Sequence, residues 1–105
     1  MDCVFCKIIN KKAPADIVYE SEKIIAFYDI HPSALVHILI VPKKHIKSVK
    51  EIKKEDKNLM GELLLAAQKI AEEKKLKAYK LLIRTGREAG QIVDHIHMHL
   101  LSNNR

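Results

Sequence analysis

Three histidines stand at every second position in His95-Ile96-His97-Met98-His99-Leu100-Leu101. In an extended strand successive side chains point to opposite faces, so the three imidazoles would share one face and Ile96, Met98 and Leu100 the other. Two residues of strand advance ~6.8 Å, which puts the outer histidines ~13 Å apart, whereas zinc holds an imidazole nitrogen at ~2.0–2.1 Å. All three therefore cannot serve one ion. The row predicts a working surface with divided labour: one histidine for metal or structure, one nucleophile, one proton donor. A lone strand histidine is more often a satisfied side chain hydrogen-bonded to backbone, but three in alternation are not explained that way. An imidazole of pKa ~6.5 is largely neutral at pH 7, attacks phosphorus, and trades protons. Phosphoryl chemistry is the natural expectation.

The second reactive cluster is Cys3-x-x-Cys6. The opening MDCVFCKIIN lacks the ~7–15 residue apolar segment and small-residue cleavage site of a secretory signal, so a cytoplasmic address is expected. There the spacing reads as a reduced metal clip or a redox pair before a structural disulfide. Paired cysteines supply half of a tetrahedral zinc site, which two histidines from distant strands would complete. The alternative is two buried thiols that simply pack. Phosphate-binding P-loops, dinucleotide folds and serine-hydrolase elbows are excluded, because none of their glycine motifs occurs among the three glycines of the chain.

The elements that must position these residues follow from pattern. At 105 residues, with 48% hydrophobic and 30% charged side chains, the chain is expected to form one domain over residues 1–105. Its longest apolar runs, 24–28 and 63–67, fall far short of the ~20 residues of a membrane span. Residues 4–12 predict a short helix ending in cations before Pro14. Residues 17–20 and 24–29 predict a hairpin, and 36–41 a buried strand closed by Pro42. Leu59, Leu63, Ala66, Ala67, Ile70 and Ala71 recur at helical spacing within 55–75, with Glu55 and Asp56 expected in the first turn and Lys74 and Lys75 in the last. Strands are expected at 80–85 and 92–101, flanking a loop at 86–90. The sum is an α+β fold: an antiparallel sheet of about five strands with one long and one short helix. A net charge of +6 raises nucleic acid as a partner, but Lys43-Lys44 and Lys53-Lys54 are short runs that read as solvated faces, so nucleic acid is not expected.

The motif HIHMHLL resembles the signature of the histidine-triad (HIT) family, nucleotide hydrolases and transferases whose motif is His-φ-His-φ-His-φ-φ with φ hydrophobic. The resemblance extends over nearly the whole chain, through CVFCKII, AFYDIHP, HILIVPKKHI, the helix and the loop GREAGQ. It is strongest to the nucleoside phosphoramidase branch. It implies that His97 is the nucleophile toward the α-phosphorus of a purine nucleoside phosphoramidate or (di)nucleoside polyphosphate, forming a nucleotidyl-histidine intermediate and releasing a monophosphate such as AMP. His99 and His37 would move protons around the phosphate, with no catalytic metal. Asp29 would accept from the ribose hydroxyls, its alternative being a turn-initiating Asp before Pro32. Phe5, Ile8, Phe27 and Ile30 would clasp the base, and Gln91 would donate to phosphate oxygens beside Gly86 and Gly90. Cys3, Cys6, His45 and His95 match a structural zinc site. The family also implies a two-fold homodimer, through the long helix and the fourth strand, that extends the sheet across the axis.

Some positions depart from the family pattern. Ile92 stands where a Ser or Thr usually follows the Gln, so one phosphate contact is lost. Arg84 stands where Asn is frequent, with Thr85 beside it, and Asp94 replaces an aromatic or aliphatic residue. A carboxylate there is expected to favour a charged His95 unless that residue binds metal. After Leu101 the sequence reads Ser102-Asn103-Asn104-Arg105 where phosphoramidase relatives carry a Gly-Gly-Arg segment, so a selector for the leaving group is expected to be missing. These departures keep a second expectation open, a non-enzymatic, zinc-stabilised nucleotide-binding or scaffold module.

Overall fold

The computed structural model describes residues 3–103; Met1, Asp2, Asn104 and Arg105, including the last two positions of the C-terminal departure, lie outside the described residues. In chain order the elements are α1 (Val4–Ile9), β1 (Ile17–Glu20), β2 (Ile24–Tyr28), β3 (Val36–Pro42), α2 (Lys57–Glu73), β4 (Lys80–Leu82) and β5 (Met98–Ser102). The strands form one antiparallel sheet in the order β1-β2-β3-β5-β4, the expected α+β architecture.

β3 is buried along its whole length because both faces of the sheet are covered. Its alternation divides the molecule. Val36, Ile38 and Ile40 join Ile24, Ala26, Met98 and Leu100 under α2, whose inward stripe is Leu63, Ala66, Ala67, Ile70 and Ala71. The three alanines in that stripe let the helix lie close to the sheet. Leu39 and Val41 point the other way and join Ile25, Phe27, Cys3, Phe5 and Ile8 under α1. His37 lies on this second face as well, at the position in β3 two residues before Leu39. Leu64 and Leu65, on the far side of α2, are exposed, and β4 ends the sheet with one unpaired edge. Among the described residues no helix is long and apolar enough to cross a membrane.

Several boundaries differ from the sequence expectation. The first helix ends at Ile9 rather than near residue 12, with Asn10 as its cap and Lys11 at φ 61. Glu55 and Asp56 lie in a 3₁₀ turn before α2, where the Asp56 carboxylate accepts from the Lys53 backbone N–H and pairs with Lys44 at 2.6 Å. The fourth strand stops at Leu82 and the fifth begins only at Met98. His95 and His97 thus precede the strand: the Ile96 N–H is spent on the Ile46 carbonyl at 2.7 Å, outside any strand ladder. Alternation survives locally, with Ile96, Met98 and Leu100 all buried, but His95 and His97 are buried too, so the three histidines do not form one continuous exposed row.

Candidate active site

On the second face of the sheet, α1 and the loops enclose a cleft of about 390 Å³. Phe5 and Ile8 from α1, Phe27 from β2, Leu39 from β3, Asp29 and Ile30 after β2, and His97 and His99 all line it. The residues expected to clasp a base therefore share one cavity, of a size suited to a small ligand, with His97 and His99, while His37 lies behind His99 and reaches it only through their hydrogen bond. Ile30 is 84% exposed at its mouth. Phe5 packs edge-on against Phe27 at 5.5 Å and against His97 at 5.1 Å, so the apolar wall also steadies an imidazole. Sequence reasoning missed Leu39 and His31 as lining residues. Leu39 was legible as the residue two places after His37 on one strand face.

The protonation of each imidazole follows from partners that can only donate or only accept. His97 Nδ1 lies 2.8 Å from the His95 backbone carbonyl and so carries a proton, leaving its Nε2 lone pair free. The Ser33 backbone N–H donates to His37 Nδ1 at 3.1 Å, which puts the His37 proton on Nε2. That Nε2–H faces His99 Nδ1 at 2.9 Å and the Asp29 carboxylate at 3.4 Å. His99 Nδ1 therefore accepts, and its proton lies on Nε2, the one buried side-chain nitrogen or oxygen without a partner among the described residues. A bare nucleophilic nitrogen on His97 and an unpaired N–H on His99 thus occur on neighbouring rings with centroids 5.0 Å apart. Burial lowers the pKa of His97 and His37, and that of His99 to about 4, so all three are neutral near pH 7. One Asp29 carboxylate oxygen accepts from the His31 N–H at 2.8 Å in a turn, and the residue also lines the cleft.

His95 faces away from this chemistry. Its Nε2–H donates to the Pro42 carbonyl at 2.8 Å, so Nδ1 is a bare lone pair, and burial holds the imidazole down to about 4. Cys3 Sγ lies 3.4 Å and Cys6 Sγ 3.6 Å from that nitrogen, His45 Nδ1 lies 3.1 Å from it, and Cys6 Sγ lies 3.3 Å from His45 Nδ1. Tetrahedral zinc with bonds of ~2.3 Å to sulfur and ~2.0–2.1 Å to nitrogen would set sulfur and nitrogen ~3.6 Å apart and two nitrogens ~3.3 Å apart. The four residues fit such an ion, and the Pro42 carbonyl fixes the tautomer it requires. Burial and the facing Cys3 raise the Cys6 thiol, a penalty that a cation would reverse. Asp29, His37 and His99 also bring potential ligand atoms within 4.8 Å of one another, but their hydrogen-bond chain accounts for that approach.

Two expectations are corrected. Gln91 is buried and its amide is committed inside the protein: Oε1 accepts from the Gly86 N–H, and Nε2 donates to the Lys47 and Val93 carbonyls. It shapes the loop and does not line the cleft. Asp94 pairs with Arg87 at 3.1 Å rather than charging His95, which burial keeps neutral. Gly86 and Gly90 do adopt φ 90 and φ 96 around the turn 87–89, a backbone that only glycine accepts without strain.

The architecture, a sheet backed by α2 with an imidazole-lined cleft under α1, matches known proteins. Residues 2–105 fit the family model described as "Scavenger mRNA decapping enzyme C-term binding". The purine nucleoside phosphoramidase of Escherichia coli K12 is 42% identical over 102 residues, covering 95% of this chain and 86% of that protein. Among solved structures, a HIT family hydrolase from Legionella pneumophila superposes with a TM-score of 0.95 at 40% identity, covering 99% of this chain and 95% of that one. A HIT family hydrolase from Clostridium thermocellum gives 0.95 at 46% identity, covering 98% and 91%. The chain belongs to the histidine-triad family.

The lowered imidazoles make stability depend on pH with a definite sign. As pH falls below ~6.5 the unfolded chain takes up protons that His37, His97 and His99 refuse, so their contribution is whole above that value and is lost as pH falls toward about 4. The Tm is expected to drop across this window, and the ring-proton NMR signal of His99 to titrate near 4. Titration of all three near 6.5 would contradict the assignment.

Proposed function

We propose that the chain is a hydrolase acting at the α-phosphorus of purine nucleoside phosphoramidates or nucleoside polyphosphates. The observation that carries this reading is the free Nε2 of His97 beside the unpaired Nε2–H of His99 in an apolar cleft edged by Asp29. The phosphoramidase activity of the Escherichia coli relative supports it. The base would lie between Phe5, Ile8, Phe27 and Ile30, with the ribose hydroxyls donating to Asp29. His97 Nε2 attacks phosphorus and the bond to the leaving group breaks, giving a nucleotidyl-histidine. A bound phosphate raises the proton affinity of the His37–His99 pair, so the pair that is neutral in the free protein becomes the acid that protonates the leaving group. Water then attacks phosphorus, returns a proton to His99, and releases the nucleoside monophosphate from His97.

Zinc on Cys3, Cys6, His45 and His95 would be structural in this scheme: it would hold α1, and with it Phe5 and Ile8, against the sheet. A homodimer would cover the exposed Leu64 and Leu65 of α2 and the open edge of β4, which otherwise face water.

Replacing His97 with Ala should abolish release of AMP from adenosine 5′-phosphoramidate while AMP affinity stays within several-fold, since a nucleophile acts mainly in the transition state. Undiminished turnover would overturn the mechanism, and saturable binding by the unaltered protein without product would favour the non-enzymatic module. Chelation or Cys3→Ser should lower Tm and weaken AMP binding with little change in the rate at saturation; protein free of zinc by elemental analysis, with a Tm that added zinc does not move, would leave the thiols as packing residues. Sedimentation at micromolar concentration should give twice the 12.0 kDa chain mass, and a 12.0 kDa species would count against the dimer.

A further inference from the structure

The cleft has no lysine or arginine in its walls, and both phosphate donors expected of the loop are gone: Gln91 is committed to backbone, and Ile92 presents an 81% exposed aliphatic side chain. Arg84 stands next to this gap. In the β4–β5 ladder Lys80 faces Leu101, Leu81 faces Leu100 and Leu82 faces His99, so the chain leaves β4 beside His99 and Arg84 follows two residues later. Its side chain lies flat over Gly90, which lines the cleft: a Cβ placed on Gly90 would be 3.1 Å from Arg84 Cδ and 3.5 Å from Nη1. The guanidinium makes one hydrogen bond, from Nη1 to the Ala89 carbonyl at 3.3 Å, and among the described residues it has no acidic partner. Arg87, three residues on, is in contrast tied by three hydrogen bonds to the Gln91 and Ile92 carbonyls and Asp94. The Arg84 charge is felt at both His37 and His99, which it disfavours as cations.

From this placement we infer that Arg84 is the specificity determinant of the site, binding the phosphate beyond the one attacked and so selecting nucleoside polyphosphates over amine-bearing phosphoramidates. The inference rests on the hydrolase reading above and narrows its substrate class. The chemistry distinguishes the two leaving groups. When His97 Nε2 forms its bond to the α-phosphorus of a polyphosphate, the bridging P–O bond breaks and its electron pair stays on the departing phosphate oxygen. A guanidinium with unused N–H groups neutralises that charge as it develops, and no proton has to be delivered. An amine must instead take a proton to leave, and a cation beside His37 and His99 makes the protonated pair that supplies it less available. Water afterwards cleaves the bond between phosphorus and His97, giving the monophosphate. The same guanidinium accounts for tolerance of Ile92, because a charged fork replaces neutral donors on that side.

The test compares the unaltered protein with Arg84→Asn and Arg84→Lys, using diadenosine triphosphate and adenosine 5′-phosphoramidate as substrates. Arg84→Asn should lower kcat/KM for the polyphosphate roughly 10- to 100-fold, the range of one charge-assisted hydrogen bond, and leave the phosphoramidate unchanged or faster. Arg84→Lys should fall between. Equal losses on both substrates, or none on either, would overturn the inference. Equilibrium binding separates this from failure of the hydrolase reading itself. If neither substrate is turned over, that reading falls, and Arg84 is judged by the ratio of AMP to α,β-methylene-ADP dissociation constants. A preference for the diphosphate analogue that Arg84→Asn abolishes supports the role, and a ratio that does not move refutes it.

Discussion

A helix of six residues cannot hold its own conformation in water, and α1 buries only Phe5 and Ile8 among its six side chains. Yet those two residues form a wall of the cleft, and Phe5 also packs against His97. The segment is kept on the sheet by the four-residue cluster at its start, where Cys3 and Cys6 meet His45 from the middle of the chain and His95 from near its far end. Cys3 in addition caps the helix by accepting from the Cys6 N–H at 3.4 Å. Without that closure the second face of the sheet, including Ile25, Phe27, Leu39 and Val41, would be open to water. The cleft is thus a by-product of how a short helix is fastened.

Polar groups on this face are bought into the interior by chains of fixed donors and acceptors. His37 occupies a place in a fully buried strand where an aliphatic residue would pack more cheaply. It is tolerated because Ser33 supplies an N–H on one side of the ring and His99 accepts on the other. Nothing completes the chain at His99 Nε2, a buried donor without a partner among the described residues, on a histidine that lines the cleft. Leaving it unpaired costs stability in the free protein.

The order of elements, the α+β class and the alternation of buried residues were legible because period-2 and period-3.6 patterns report which face of an element is dry. The cleft residues Phe5, Ile8, Phe27, Asp29 and Ile30 came from family resemblance, since taken alone the apolar ones among them read only as core. What was not legible depends on tertiary hydrogen bonds. Gln91 has the composition of a ligand donor, and only the positions of Lys47, Gly86 and Val93 reveal that its amide is already used. Asp94 likewise looks like a partner for its neighbour His95, but its charge is directed to Arg87 across the loop. The triad was expected within one long strand; the Ile46 carbonyl takes the Ile96 N–H, and the first two histidines sit on irregular backbone whose carbonyls are free to bond side chains.

That irregular backbone couples the two halves of the site. The residue whose imidazole faces the cysteines, His95, offers its carbonyl to His97 Nδ1, so its side chain fits a metal while its main chain sets the tautomer of His97, the proposed nucleophile. Displacing His95 as a whole would disturb His97. The backbone between them has its own anchor in the 2.7 Å bond from the Ile96 N–H to the Ile46 carbonyl, which does not pass through the cysteines. Loss of an ion would accordingly act first on α1 and the apolar wall, through Cys3 and Cys6, and only weakly on the orientation of His97. In the proposed reaction, affinity for the base and the rate of the covalent step would be separated by this arrangement, although both depend on histidines only two positions apart.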